Sequence, residues 1–160
     1  MAESSYADQL AELAAQEERL VFSRFDNDDA WRLGVHLVEA ARSANLPVAI
    51  SIRRNGQRLF HAGLPGSTPD NDAWLERKSA VVDRYCHSSY LVGTTFRAKG
   101  RTFEEDSRLD PNLFAAHGGA FPIIVREVGC VGTVAVSGLA QADDHAFVVT
   151  QLESFLQLND

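Results

Sequence analysis

The stretch that decides the fold is HGGAFPIIVREVGCVGTVAVSG, residues 117–138. Two apolar, β-branched runs, 121–127 and 131–137, are joined by three residues that include a glycine, so the pattern predicts an antiparallel hairpin. The pair Gly118-Gly119 precedes the first run and indicates a bulge or a close approach of another group to the backbone. A helix is predicted directly afterwards, over 144–157. Strand, hairpin, glycine turn and helix start together favour a binding pocket at this end of the sheet.

A second hairpin is predicted upstream, over 48–62. Residues 48–53 alternate apolar and polar side chains, Asn55-Gly56 supplies the two positive-φ positions of a type I′ turn, and 57–62 return. Further short strands are predicted at 20–25 and 113–116, and helices are predicted before, between and after the hairpins. The fold class that follows is α+β, a single antiparallel sheet of about five strands with flanking helices.

Length and composition limit the function classes. The 160 residues form one predicted domain, 1–160, with 1–19 as an N-terminal helical extension, and a hydrophobic content of 45% suits a globular core. A formal charge of -7 disfavours nucleic acid as a partner. No apolar run approaches the length that spans a bilayer, so we expect no membrane association. Two cysteines without metal-type spacing predict a reduced protein of the cytoplasm.

One cation lies on the apolar side of a predicted helix. At 100° per residue, Trp74, Val81 and Tyr85 form a narrow stripe, and Lys78 lies in its middle. A buried ammonium must be paired, desolvated or extended to water. Lys78 therefore either covers the aromatic rings with its aliphatic stem, or binds an anionic ligand, or forms a Schiff base as a third alternative.

Two histidines border the decisive stretch. His145 points to the apolar face of the closing helix, where a neutral imidazole can hold a metal or haem iron, accept a proton, or only fix the helix entry. His117 borders whatever approaches the glycine pair, either a small molecule or a neighbouring helix. The strand end Ser137-Gly138 either offers hydroxyl and N–H donors to an anion or simply makes a tight strand-to-helix turn.

The candidate ligand-binding residues are Trp74, Lys78, Tyr85, His117, Gly118, Gly119, Ser137, Gly138 and His145. No zinc-type spacing, nucleophile elbow, P-loop or dinucleotide fingerprint occurs, so no dedicated metal site is expected and nucleotide binding is weakly supported.

A set of motifs occurs in order from about Leu20 onward. The motifs are Phe25-Asp26-Asn27-Asp28 with Trp31 and Gly34, Trp74 with Lys78, Ser88-Ser89, 117–123, and 132–139 through Asp144-His145. This set resembles a cytosolic branch of the haem-degrading-domain superfamily, which includes GlcG-like and HbpS-like proteins. The resemblance implies a sheet similar to profilin-like or PAS-like domains and homo-oligomers that are dimers or larger rings. It also implies haem binding and slow haem degradation in some members.

Three functions of different classes follow from these observations. The first is a non-enzymatic binding or sensing module for a small anionic or tetrapyrrole ligand, with haem among the candidate cofactors. The second is a haem-degrading enzyme that places His117 or His145 near iron. The third is an oligomeric scaffold in which the aromatic and glycine features only build interfaces.

Overall fold

The structure is a computed structural model that describes the backbone of residues 2–159 and the side chains of residues 5–157. Its elements, in chain order, are α1 (Ala2–Arg19), β1 (Val21–Phe22), α2 (Asn27–Ser43), β2 (Ala49–Arg54), β3 (Gln57–Gly63), α3 (Pro69–Tyr85), α4 (Ser89–Ala98), α5 (Phe103–Ser107), β4 (Ala120–Val125), β5 (Gly129–Ser137) and α6 (Gln141–Asn159). The predicted α+β class is confirmed.

The five strands form one open sheet in the order β1-β4-β5-β2-β3. Both predicted hairpins are present, β2 with β3 and β4 with β5, and β2 also pairs antiparallel with β5. The short strand β1 runs parallel to β4, so the sheet is mixed. The Asn55-Gly56 turn has the two positive φ angles that its sequence predicts, 51° and 81°.

Helices cover both faces of the sheet, and successive side chains of β5 point alternately to the two helical layers. Val134 and Val136 point into the larger core, which α2 and α6 share with one face of the sheet. Ala135 points to the opposite face, where α3 packs. Small side chains on that face let α3 approach closely, and α3 carries the residues of the candidate site.

The strand predicted at 113–116 is wrong. These residues form a turn, in which the N–H groups of Leu113 and Phe114 both donate to the carbonyl of Asp110, followed by an irregular segment. Ala116 packs instead in the apolar cluster between α3, α4 and α5.

The helix α1 is joined to the rest of the chain by buried polar contacts. Glu17 accepts hydrogen bonds from the N–H of Ser88 and pairs with His87, while Gln16 contacts His145. Among the described residues, no helix is long and apolar enough to cross a lipid bilayer.

The two cysteines lie close together although 44 positions separate them in the sequence. Both are free thiols; Cys86 is exposed at the end of α3, and Cys130 is half-buried on β5. Burial, together with the neighbouring Cys86 thiol, raises the pKa of Cys130 to about 11. Cys130 is therefore protonated at neutral pH and is a poor nucleophile.

We expect iodoacetamide at pH 8 to alkylate Cys86 at least tenfold faster than Cys130, because only a small fraction of Cys130 is thiolate at that pH. Peptide mass spectrometry over a time course measures both rates. A Cys86→Ser variant serves as the control, in which Cys130 should stay slow. Equal labelling rates of the two thiols in the native protein would contradict this assignment.

Candidate functional site

A polar pocket of about 270 Å³ lies where α3, the segment before β4 and the turn between β5 and α6 meet. Its lining residues are Asn71, Trp74, Lys78, His117, Gly118, Ser137, Gly138, Leu139, Gln141 and Asp144. The volume is near the lower end of the roughly 300–1,000 Å³ that small-molecule sites occupy.

The floor of the pocket is built around the Lys78 ammonium, which is 2% exposed. Its Nζ donates to the carbonyl oxygens of Gly118 at 3.0 Å and Val136 at 2.6 Å, and to Asp144 Oδ2 at 3.3 Å. A protonated lysine has three N–H donors, so these three acceptors use all of them. Lys78 therefore ties α3 to three other segments and has no proton left for a ligand.

Asp144 completes this buried pair. Its carboxylate also accepts from the N–H groups of Gly138 at 3.4 Å and Leu139 at 3.0 Å, which fixes the turn between β5 and α6. Burial lowers the pKa of Lys78, and the charge and hydrogen bond of Asp144 oppose that shift. Burial likewise raises the pKa of Asp144, against Lys78 and the two N–H donors.

The glycine pair serves this arrangement. Gly119 has a φ of +132°, and a Cβ built on it would collide with Lys78 Nζ and the Val136 carbonyl. A Cβ on Gly118 would collide with the backbone carbonyl of Gln141. The close approach that the sequence predicts is therefore made by protein groups, namely the lysine head and the start of α6.

The rim of the pocket carries two rings. The exposed imidazole of His117 lies 5.0 Å from the Trp74 ring, with an interplanar angle of 53°. The Arg77 guanidinium lies 4.2 Å from the centre of the same tryptophan ring. Partial burial lowers the pKa of His117. The negative charge of Glu104 opposes this shift, and the positive charge of Lys78 adds to it. The rim thus presents a neutral imidazole beside an aromatic face.

Neutral donors line the wall. The Asn71 amide donates to Ser137 Oγ at 3.5 Å, and its oxygen accepts the N–H of Thr68 at the start of α3. Gln141 accepts the Gly118 N–H through Oε1 at 3.0 Å, which orients its amide. An amide has two N–H donors and a hydroxyl has one, so Asn71, Ser137 and Gln141 can all bind an acceptor in the pocket.

Six of the nine residues named from the sequence line this pocket, and Gly119 lies directly behind its floor. Tyr85 does not: it packs edge-on against Phe103, 6.2 Å away, two helical turns beyond Lys78. His145 does not either, because its ring is buried, with Nε2 2.7 Å from Gln16 Oε1. A ligand-binding role for the six lining residues stays a prediction.

Sequence reasoning missed four lining residues: Asn71, Leu139, Gln141 and Asp144. Asn71 and Asp144 resemble ordinary helix-start chemistry, and both do make such contacts. They differ from other helix-start residues only in the folded structure, where Asp144 pairs with Lys78 and Asn71 donates to Ser137. Within the part of the chain that the structure describes, no group of three or more His, Cys, Asp or Glu side chains could hold a metal ion.

Comparison with known proteins gives a consistent family. The family model described as "Haem degrading protein HbpS-like" matches residues 25–153. A UPF0303 protein of Streptomyces coelicolor is 62% identical over 98% of this chain and 99% of its own length. A UPF0303 protein of Serratia proteamaculans is 43% identical over 95% of this chain and 94% of its own length.

Solved structures share the fold. The Ybr137w protein superposes with a TM-score of 0.86 at 36% identity, over 93% of this chain and 88% of its own. A PduOC:haem complex has a TM-score of 0.68 at 17% identity, over 81% and 94% of the two chains. HbpS has a TM-score of 0.65 at 18% identity, over 83% and 90%.

Replacing the buried lysine, Lys78→Met, should lower the free energy of unfolding by about 3–5 kcal/mol, because it leaves Asp144 as a buried charge without its partner. Urea unfolding measures the loss. The exposed lysine variant Lys99→Met is the matched control and should change little. The double variant Lys78→Met/Asp144→Asn should be less destabilised than Lys78→Met alone. If Lys78→Met is as stable as the native protein, the ion pair does not stabilise the fold.

Stability should depend on pH through His145. Burial lowers its pKa to about 4 in the folded protein, below the usual value of 6.5 in the unfolded chain. The unfolded state therefore binds the proton first, so the contribution is complete above pH 6.5 and is lost as the pH falls toward 4. Between pH 7 and 5, the native protein should lose about 2 kcal/mol more than His145→Gln in urea unfolding.

The control for that measurement is His87→Gln, which replaces an exposed histidine that contacts Glu17 of α1. In this variant, the loss of stability assigned to His145 should persist. Parallel stability profiles for the native protein and His145→Gln would show that His145 is not a buried neutral imidazole.

Proposed function

Because the chain belongs to the HbpS-like family of haem-degrading proteins, we propose that it is a homo-oligomeric binding module for a small molecule with an anionic edge, with haem as the first candidate. One observation carries the proposal. The neutral donors of Asn71, Ser137 and Gln141 converge on one pocket, whose rim presents His117 and Trp74.

The preference for an anionic edge follows from the electrostatics of the pocket. Lys78 and Asp144 are paired, so the floor carries no net charge. The helix α6 begins at Gln141 in the pocket wall, and the N-terminal end of a helix favours negative charge. Arg77 adds a cation at the rim. A carboxylate or a similar anion fits this set of donors better than a cation does.

Haem fits the rim of this site and not its interior. The pocket is too small and too polar to enclose the macrocycle within one chain. His117 is exposed and its lowered pKa keeps it neutral, which is the form that ligates iron. Trp74 offers an apolar face beside it, and the pocket donors suit a propionate. When bound, haem would supply an iron centre capable of redox chemistry. The haem complex of the PduOC neighbour supports this choice of ligand.

Haem degradation is the second candidate, favoured by the description of the family. In this case His117 would hold the group at the rim, while Asn71, Ser137 and Gln141 fix its anionic edge. His145 would take no direct part, because its ring is buried against Tyr90 and Gln16. The two candidates share one site and differ in whether the bound group survives in the presence of a reductant and air.

A hemin titration tests the site. The native protein should develop a Soret band, and His117→Ala should weaken hemin binding at least tenfold, because the imidazole that would hold the iron is lost. The exposed His87→Ala is the matched control and should bind as the native protein does. Metal-free protoporphyrin IX, followed by its fluorescence, should bind His117→Ala and the native protein alike but bind Gln141→Leu more weakly.

Each arm of that experiment has a contrary outcome. A Soret band that is unchanged in His117→Ala would reject His117 as the residue that holds the iron. If hemin, protoporphyrin IX and benzoate all fail to raise the melting temperature in a thermal-shift assay, the non-catalytic scaffold is left as the function. Decay of the Soret band with ascorbate in air, absent under nitrogen, would favour the enzyme over the binding module.

A further inference from the structure

The outer face of α2 carries a row of side chains, mostly apolar, that the fold covers only in part. Trp31, Val35, Val38 and Arg42 are spaced by four, three and four residues, which is the spacing of a coiled-coil contact row. We call these four residues the α2 row. The opposite side of the helix, with Leu33 and Leu37, is fully buried in the core. On the α2 row, by contrast, Trp31 and Arg42 are exposed and Val35 and Val38 are half-buried, so part of this face is open to a partner.

The α2 row borders a groove of about 620 Å³, whose other wall is the strand β3. Leu59, Phe60 and Ala62 supply the apolar side chains of that wall. The strand β3 is the last strand of the sheet, so one of its edges has no strand partner. Natural proteins usually cover or charge such an edge. An apolar groove beside an open strand edge is typical of an interaction surface.

The Trp31 side chain is exposed and held in one orientation, as anchor residues of interfaces are. Its side chain is 62% exposed, yet the ring packs edge-on against Phe60 at 5.7 Å, which holds its orientation. Tryptophans of this kind contribute a large share of the binding energy at protein interfaces, because they bury a wide ring at little entropic cost. Leu113 is exposed to a similar degree, 60%, but lies in a turn outside this groove.

We propose that the α2 row is the contact surface between two copies of this chain, with the two α2 helices antiparallel about a two-fold axis. That arrangement places Val35 opposite Val38 of the partner subunit and Trp31 opposite Arg42 of the partner subunit, where a guanidinium can lie on the indole ring.

Charge complementarity supports a second copy as the occupant. Arg32 and Glu39 each follow a residue of the α2 row by one position, so both lie on the same flank of the row. In an antiparallel pair, Arg32 meets Glu39 of the partner subunit, and the two-fold axis repeats this ion pair. Arg32 already contacts Asp29 in its own chain, but a guanidinium has donors for both.

The local charge also suits self-association. The α2 row and its flank hold Arg32 and Arg42 against Glu39 and the Asp29 that pairs with Arg32, so the patch is close to neutral on a chain whose formal charge is -7. Two acidic copies repel each other least where each presents such a patch. This surface gives the homo-oligomer of the proposed function a specific interface, and it lies on the side of the sheet opposite the pocket.

Sedimentation velocity of the full chain over a range of concentrations tests the surface. The native protein should sediment as a species of at least twice 17.5 kDa. Trp31→Ala and Val35→Glu should each shift the assembly to a smaller species, with association at least tenfold weaker. Leu113→Ala is the matched control for an exposed apolar residue and should leave the assembly unchanged.

Charge reversal gives a second arm, in which restoration by the double variant separates the interface from the local effect of losing the contact between Arg32 and Asp29. Arg32→Glu alone and Glu39→Arg alone place like charges opposite each other and should weaken association, whereas the double variant Arg32→Glu/Glu39→Arg should restore it. An oligomer that withstands both single reversals and Trp31→Ala would overturn this surface but not self-association. A native protein that stays monomeric would overturn both. Hemin binding by Val35→Glu should match the native protein, which separates this test from that of the pocket.

Discussion

The buried Lys78 ammonium is the interaction on which the site depends. Three carbonyl or carboxylate oxygens from three different segments converge on it, from the glycine segment before β4, from β5 and from α6. Removing a cation from water costs several kcal/mol, and only a complete set of acceptors offsets that cost. Because every acceptor belongs to a segment that borders the pocket, the shape of the pocket follows from the geometry of one ammonium group.

The same contact explains which part of the site could be read from the sequence. Lys78 stands out because it interrupts an apolar stripe, and that signal is local. Its partner does not stand out: Asp144 lies 66 positions away and resembles the acidic residues common in the first turn of a helix. Local patterns therefore identified the buried cation but not the acceptors that satisfy it, and a ligand-binding role for Lys78 stays a prediction.

Asp144 and His145 show a second limit of periodicity. Adjacent residues on a helix point about 100° apart, so a pocket at the start of α6 receives one of them and the other faces elsewhere. Here Asp144 faces the pocket, and His145 faces α1, where it contacts Gln16. Which of the two faces the pocket depends on how α6 is docked against the sheet. The position of α1, 129 residues earlier in the chain, contributes to that docking, and no pattern near His145 encodes it.

The strands of the sheet likewise differ in whether nearby residues are enough to predict them. The two hairpins follow from short-range signals, the Asn55-Gly56 turn and the alternating runs, and both are present. The parallel pairing of β1 with β4 joins residues about 100 positions apart, and the segment around Leu113 forms a turn that is closed on the carbonyl of Asp110. Local chemistry thus predicts the hairpins, whereas the pairing of distant segments depends on how the whole chain packs.

The sheet also separates the two surfaces to which we assign binding. The pocket lies on the α3 side, and the α2 row lies on the other side, while α6 borders the pocket and packs against α2 in the core. The first turn of α6 forms the pocket wall, and its middle, with Val148 and Leu152, packs in the core beneath α2. Coupling between ligand binding and self-association would therefore have to pass through a tightly packed core. Such coupling requires an element with two alternative arrangements, and α6 touches both the pocket wall and α2.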